Sequence, residues 1–434
     1  MRSLWTSGVK CPEFAPVTGD MKTDVLIVGG GLAGILCAWA LRERGVDCML
    51  VEKDRICGGV TSATTAKITS QHGLLYHSLL ARFGADNARL HWQANEDALK
   101  EYRRICKEIA CDFEEKDAYV YARRPMREME KEWQALQQIG IPARYHDRLS
   151  LPFSVAGAIS FERQAQFHPL KFAYAVAQGL PIFENTKVRE LGKGFAVTDK
   201  GRIRAEKIVV ATHFPILNKH GAYFLKMYQH RSYVLALSGA TPVKGMYVDA
   251  DKKGMSFRNY GDFLLLGGGS HRTGAKGGSY NELSDFAALF YPHAKEIARF
   301  ATQDCITLDG MPYIGAYSAR TEGIYVATGF NKWGMTSSMV AARLLADLLT
   351  DRPNDCTALF SPSRTVLRPQ LAVNAGKSIL NLITPTAPRC PHMGCALKYN
   401  RAEHTWDCPC HGSRFDENGR VLDNPATDDH PHLH

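Results

Sequence analysis

The chain has 434 residues, 45% of them hydrophobic and 22% charged, with a formal net charge of +9. At ~150 residues per domain this allows two or three globular lobes with ample core, and it excludes collagen-like and low-complexity classes. The chain has no apolar run of about 18 residues, its start lacks the apolar region of a secretion signal, and its basic residues are not clustered with aromatics. Membrane spanning, export and nucleic-acid binding are therefore not expected. Twelve cysteines, several of them (Cys37, Cys48, Cys106, Cys111) inside expected strands or helices, suit a reducing cytoplasm rather than a disulfide framework. The positive excess is that of a solvated basic surface, or of one that steers an acidic electron carrier.

Residues 24–28, Asp-Val-Leu-Ile-Val, have the length and apolarity of a buried parallel strand. Gly29-Gly-Gly31-Leu32-Ala33-Gly34 follows, then a helix-forming stretch closed by Gly45, then a second apolar strand, Cys48–Val51, ending in Glu52 and Lys53. A strand, GxGxxG, helix, strand and acid in this register make a Rossmann-type dinucleotide site. Gly29 serves the tight turn, Gly31 admits a pyrophosphate and Gly34 allows close helix–strand packing. The phosphates meet free N–H groups and the positive end of the helix dipole, and Glu52 accepts from the ribose hydroxyls.

Cys57–Lys67 is rich in small and hydroxyl residues, and Thr61, Thr64, Thr65, Ala66 and Lys67 can run along an extended cofactor. His72 follows as a residue near the reacting ring or as an ordinary helix-start histidine. Residues 76–140 read as amphipathic helices. A short strand over 182–188 would bring Val188 to an adenine, and another buried strand ends in Ala211-Thr212. Residues 223–300 read as strands by their alternation and aromatic content. They carry Tyr223, Tyr228, Arg231, Tyr233 and Arg258 as candidates for holding a carboxylate or stacking on an amine, since an arginine fork suits a carboxylate. Asp309-Gly and the strand–turn–helix start over 324–336, with Gly329, Gly334, Met335 and Thr336, would cradle the cofactor's ring end, with Lys332 and Trp333 at its border. A helix over 340–349 closes this part. Residues 351–389 form a proline-bearing linker with one apolar segment, 378–383.

The last 45 residues hold Cys390-Pro-His392 and Cys408-Pro-Cys-His411, which pair one thiol with one imidazole in each of two loops. Two cysteines and two histidines can hold a [2Fe-2S] cluster with Cys on one iron and His on the other, a set that raises the potential over an all-Cys cluster. A structural zinc site uses the same donors. His430, His432 and His434 read as a loose tail.

These C-terminal loops resemble Rieske proteins of the disulfide-containing type found in cytochrome bc complexes. The resemblance implies Cys390, His392, Cys408 and His411 as cluster ligands and a disulfide between Cys395 and Cys410. It further implies Ser413 as a hydroxyl donor to a cluster sulfide. Phe415 stands where high-potential members carry Tyr, which implies a lower potential. Asn424-Pro-Ala426 resembles the family's proline loop. Residues 20–350 resemble the D-amino-acid-oxidase or glycine-oxidase class of FAD-dependent oxidoreductases, and the two ends together resemble bacterial fusions of such a domain with a Rieske domain.

The fold expected is thus α/β. It comprises a Rossmann-type FAD-binding domain (about 20–75, 150–215 and 300–350) with an inserted α+β substrate domain (about 76–149 and 216–299). A linker (351–389) and a truncated, β-rich Rieske fragment (390–434) follow. The function expected is oxidation of the C–N bond of an amine or amino acid by hydride transfer to FAD. Single electrons would then leave through the cluster to an external carrier. A reductase running electrons the other way, from a ferredoxin-like donor, and a non-catalytic redox sensor are the alternatives. An oligomer is compatible with the sequence, and no general base is assigned.

Overall fold

The computed structural model describes residues 3–217, 220–365 and 388–430, with isolated positions 373, 376, 381 and 433. The apolar segment 378–383, apart from Asn381, and the tail residues His432 and His434 lie outside the described residues. Among the described residues three sheets form.

The first sheet has eight strands around a parallel centre. Met21–Val28 runs between Cys48–Val51 and Arg202–Val210, and Arg202–Val210 pairs in turn with Ile324–Thr328, all in parallel. Leu26 and Ile27 are fully buried, as a central parallel strand covered on both faces requires. The helices Leu32–Arg42 and Gly334–Leu349, which follow Met21–Val28 and Ile324–Thr328 on either side of Arg202–Val210, pack on each other. The second of these begins at Gly334, within the helix start expected over 324–336 and running into the helix expected over 340–349.

The second sheet has nine strands and caps the first. One end of it is the antiparallel set Lys295–Thr307, Met227–Ser238, Phe263–Arg272 and Ser256–Tyr260, with Lys295–Thr307 at the edge. The structure draws the boundary between the two lobes differently from the sequence. Gly157–Gln166 and Lys295–Thr307 fall largely in stretches expected with the cofactor domain, yet both bond into the cap sheet. Alternation identifies a strand but not which sheet it joins. Likewise 76–140 is not all helix. Between the helices Tyr76–Cys106 and Arg127–Ile139 lies the strand Glu114–Ala122, whose Asp-Ala-Tyr-Val-Tyr run alternates with period two. Nor is 223–300 all strand, because Ser279 caps a helix over Tyr280–Phe290.

The third sheet is a four-stranded antiparallel meander, Lys398–Asn400, Thr405–Asp407, Arg414–Asp416 and Val421–Asp423. Its core is little more than Cys390, Cys395, Leu397, Cys408, Cys410, Phe415 and Ala426. So small a core stabilises little by itself. The unit is instead fastened to the rest of the chain. Its Gly412 carbonyl accepts from Gln303 at 2.8 Å, while Arg364, ahead of the unit, belongs to the larger lobe's own packing, pairing with Asp309 at 2.6 and 2.9 Å and stacking over Tyr313 at 4.0 Å. The terminal turn is held by Asp428, which accepts from Arg189 at 2.7 Å and Lys187 at 3.1 Å.

Candidate active site and cluster-binding loops

A cavity of about 850 Å3 runs from the Gly29–Ala33 turn, under the cap sheet, to the Leu422–Thr427 segment of the small sheet. Its first end is built by the glycine turn. A β-carbon on Gly34 would overlap the Gly29 carbonyl, so Gly34 serves helix–strand packing and does not line the cavity. Gly31 is different. A β-carbon there would meet nothing of the protein nearer than Thr61 Oγ1 at 3.5 Å, so the room it leaves is open cavity. Leu32 N–H, at the helix start, donates to that same Thr61 oxygen at 3.1 Å. Glu52 faces the cavity and accepts from the N–H groups of Gly30 (2.7 Å) and Asp54 (3.1 Å). Burial raises its pKa, while those two bonds oppose the rise.

Gly29, Leu32, Ala33, Lys53, Thr64, Thr65 and Lys67 border this end as well. Lys67 donates to the Tyr247 carbonyl at 3.1 Å, and burial, with Arg258 nearby, lowers its pKa to about 7. Val188, Ala211 and Thr212 form the adjoining wall, and Gly329, Gly334 and Met335 the far one. Three expected cofactor residues lie off the cavity surface. Ala66 is fully buried, Thr336 donates to the Thr69 carbonyl at 3.1 Å, and Asp309 is engaged by Arg364. The small or hydroxyl side chains of Ala66 and Thr336 suited a cofactor contact but equally suit close packing, and the Asp309 carboxylate is taken up by its ion pair.

The cap end is more polar than the sequence suggested. Tyr228, His230 and Ser232 follow the alternation of one strand and border the cavity, joined by Thr302 and Asp304 from the next. Lys332 opens onto the same space and donates to Ser232 Oγ at 3.0 Å and to Ser270 Oγ. It holds a left-handed backbone, φ 73°, behind Asn331 at φ 51°. Asn331 fixes this turn by donating to the Gly329 carbonyl at 2.7 Å and accepting from Thr307 N–H at 2.8 Å. A left-handed lysine is unfavourable unless its surroundings impose it. Burial lowers its pKa, opposed by Asp304. Burial raises that of Asp304, with Lys332 pulling the other way. His230 is pushed down to about 3 by burial and the cations Lys332 and Arg272 with His271, so it stands neutral. His230, Ser232, Ser270 and Asp304 escaped the sequence reading, although the period-two pattern through Tyr228 would have found the first two.

The other substrate candidates go elsewhere. Arg231 points to the opposite face of the sheet and pairs with Glu403 through Nε–Oε1 at 2.7 Å and a second bond, so its fork is already occupied. Arg258 is wholly buried away from the cavity surface, donating to the Phe167 carbonyl at 3.1 Å and lying over Trp5. Tyr233 borders the cavity, but its ring is packed between His271 and Tyr280. His72 stacks on Trp333 at 5.0 Å and bonds Thr69 and Thr336, so it backs the cavity wall without reaching the cavity.

At the C-terminal loops the rings of His392 and His411 lie 5.0 Å apart and nearly perpendicular. All four of their ring nitrogens are buried without a hydrogen-bond partner. Such orphaned buried polar atoms are rare unless something unseen ligates or bonds them. Burial lowers the pKa of His392 to about 3 and of His411 to about 4, which keeps both imidazoles neutral, the form that binds metal. Cys390 and Cys408 are buried beside them, and the sulfurs of Cys395, Cys408 and Cys410 lie within 4.8 Å of one another. Cys395 and Cys410 stand as free thiols. Ser413 Oγ accepts from Ala426 N–H at 2.9 Å, leaving its own proton for the Cys390 side. Two neutral imidazoles and two buried thiols fit a [2Fe-2S] cluster, and the open room at Gly31 fits a dinucleotide phosphate.

One sheet separates the two sites. The strand that turns Tyr228 and His230 to the cavity turns Gln229 and Arg231 to the cluster loops. Gln229 donates to the carbonyls of His411 (2.9 Å) and Asn424 (2.8 Å). Gln303 donates to the Gly412 carbonyl (2.8 Å) and to Gln229 Oε1 (2.6 Å), and Thr273 holds Gln303 at 2.9 Å. Gly412 permits the approach, since a β-carbon there would lie 2.6 Å from Gln229 Cβ. Behind this contact Arg414 is buried among Asp407, Asp423 and Glu403, each at 3.0 Å.

The sequence model of the FAD dependent oxidoreductase family matches residues 24–348, and that of the Rieske [2Fe-2S] domain matches 364–433, beginning ahead of Cys390. The chain is 34% identical to the Rieske 2Fe-2S iron-sulfur protein YhfW of Bacillus subtilis, over 98% of this chain and 96% of that one. It is 23% identical to gamma-glutamylputrescine oxidoreductase of Escherichia coli, over 79% of this chain and 87% of the relative. In fold it is similar to glycine oxidase from Geobacillus kaustophilus, with a TM-score of 0.64 and 23% identity, over 80% of this chain and all of that one.

Proposed function

The chain belongs to the family of FAD dependent oxidoreductases and carries a C-terminal Rieske [2Fe-2S] domain, and from that premise we propose that it oxidises the C–N bond of an amine or amino acid. In this reading single electrons pass through the Rieske cluster to an external carrier. The observation that carries it is the shared strand, with Tyr228 and His230 on the cavity and Gln229 bonded to the His411 carbonyl. When bound, FAD supplies a two-electron hydride acceptor and the cluster a one-electron relay.

The chain's own residues do the rest. Lys332, aimed by its strained turn, offers a cation to a substrate carboxylate, with Ser232 and Ser270 beside it. Asp304 faces the same space and suits an ammonium, and neutral His230 offers an acceptor to a substrate N–H. Glu52 holds the ribose end of the dinucleotide, and Gly31 with the helix start holds its phosphates. Cys390, His392, Cys408 and His411 ligate the cluster. Cys395 and Cys410, free thiols in the structure with sulfurs within 4.8 Å of each other, would pair over it as a disulfide, and the cysteines inside the strands and helices of the larger lobe suit a cytoplasmic enzyme. No helix of the described residues is long and apolar enough to cross a membrane.

The test is anaerobic addition of amines and amino acids to purified protein, followed by visible absorbance and low-temperature EPR. A substrate that bleaches the flavin bands and raises a reduced Rieske signal supports the reading. Zinc in place of iron, or a flavin that no amine or amino acid reduces while a ferredoxin-like donor does, overturns it.

A further inference from the structure

The segment Leu422–Thr427 is part of the cluster-bearing unit, yet Leu422, Asp423, Asn424, Ala426 and Thr427 border the same cavity as Gly29 and Glu52. The oxidoreductase family match ends at residue 348, so this wall lies outside the fold the family shares. Its fastenings are specific. Asn424 Nδ2 donates to the carbonyls of Thr212 and Phe214, both at 2.6 Å. Lys187 donates to the Thr427 carbonyl and to Asp428 Oδ1, and Arg189 reaches the same carboxylate. Lys187, Val188 and Thr212 themselves border the cavity. The loop is thus pinned to two cofactor-bordering stretches of the larger lobe.

The same few residues are tied to the cluster side. Ala426 N–H bonds Ser413, two residues beyond His411, and the Asn424 carbonyl accepts from Gln229, whose amide also holds the His411 carbonyl. A displacement of the ligand loop would therefore pull on Asn424, and a displacement of Asn424 would open the cavity.

We propose that residues 422–428 are a part of the FAD site that closes the cavity over the bound dinucleotide, so that the Rieske unit and the flavin retain one another. The proposal concerns retention and is independent of the direction of electron flow or the substrate. A substrate screen that fails would leave it standing.

Release of FAD from the holoprotein, followed by the rise of free-flavin fluorescence on dilution, tests it. Asn424→Ala removes both amide bonds, and release quickens about tenfold, the equivalent of about 1.4 kcal/mol. The exposed pair Lys193–Glu322 serves as control, and Lys193→Ala leaves release unchanged. Asn424→Ala that keeps its cluster spectrum and releases FAD within twofold of the unmodified rate overturns the proposal. If Asn424→Ala loses its cluster on purification, the exposed rim residue decides. Asp428→Asn, whose side chain makes no bond to the ligand loops, speeds release about threefold, and no change sinks the idea. Removal of iron from the unmodified protein by a chelator also quickens FAD release. Protein that holds FAD equally well with and without the cluster overturns the coupling.

Discussion

Gln229 and His230 are consecutive residues that serve different sites. The Gln229 amide donates to the His411 carbonyl at 2.9 Å on one face of the cap sheet, and His230 borders the cavity on the other. The period-two alternation of a β-strand is what allows this, since neighbours point to opposite faces. The separation between the two sites is then set by the thickness of one sheet.

Replacing Gln229 by Leu leaves the buried carbonyls of His411 and Asn424 without their donor. Each such orphan costs roughly 1–3 kcal/mol. Chemical denaturation followed by loss of the cluster's visible bands is expected to show that loss.

Lys332→Met removes the cation opposite a substrate carboxylate. A hydrogen bond to a charged group contributes about 1.5–3 kcal/mol, so KM for an amino acid is expected to rise roughly 10- to 100-fold. A simple amine lacking the carboxylate would keep its KM, and steady-state kinetics on the two substrate types separates the cases.

Arg414 is the buried cation of a three-carboxylate cluster. Burial opposes its charge, but Asp407, Asp423 and Glu403 hold it protonated. Arg414→Met strands those acids, at a cost of about 3–5 kcal/mol. Arg231 shares Glu403, so Arg231→Met adds less than its single effect once Arg414 is gone. A double-mutant cycle in urea measures the shortfall.

His91 sits in a buried aromatic nest with His72 at 5.5 Å and Tyr76 at 6.0 Å, and burial lowers its pKa to about 4. Below 6.5 the unfolded chain binds a proton there and the native chain does not. Stability therefore falls as pH drops from 6.5 towards 4, by roughly 1–3 kcal/mol. His72, lowered by burial and by His91, adds to the same slope. His91→Phe is expected to flatten the slope in melts across that range.

The glycine turn and the four candidate cluster ligands were legible in the sequence because each chemistry demands a residue type at a fixed spacing. Gly34 against the Gly29 carbonyl and the unpartnered nitrogens of His392 and His411 are both consequences of such spacing. The substrate end was less legible. Arg231 and Arg258 suit a carboxylate by type, but facing direction depends on which sheet a strand joins and in what register, and no local pattern encodes that. Lys332 stood out weakly in sequence. Its importance comes from a left-handed turn that Asn331 imposes, and a side-chain-fixed turn in a run without a glycine at that position leaves little trace.

The Gln229 bond to the His411 carbonyl gives the Rieske unit a second point of attachment, at a ligand loop, to match the Asp428 contacts beyond it. A unit tethered at only one end can swing between donor and acceptor, and its traffic is then slowed by a thicker solvent. Held at a ligand loop and at its terminal turn, this one is fixed in place, and in the proposed electron path it would be a stationary relay. Internal transfer is expected to ignore added glycerol, and any viscosity dependence in turnover will belong to the encounter with the outside carrier.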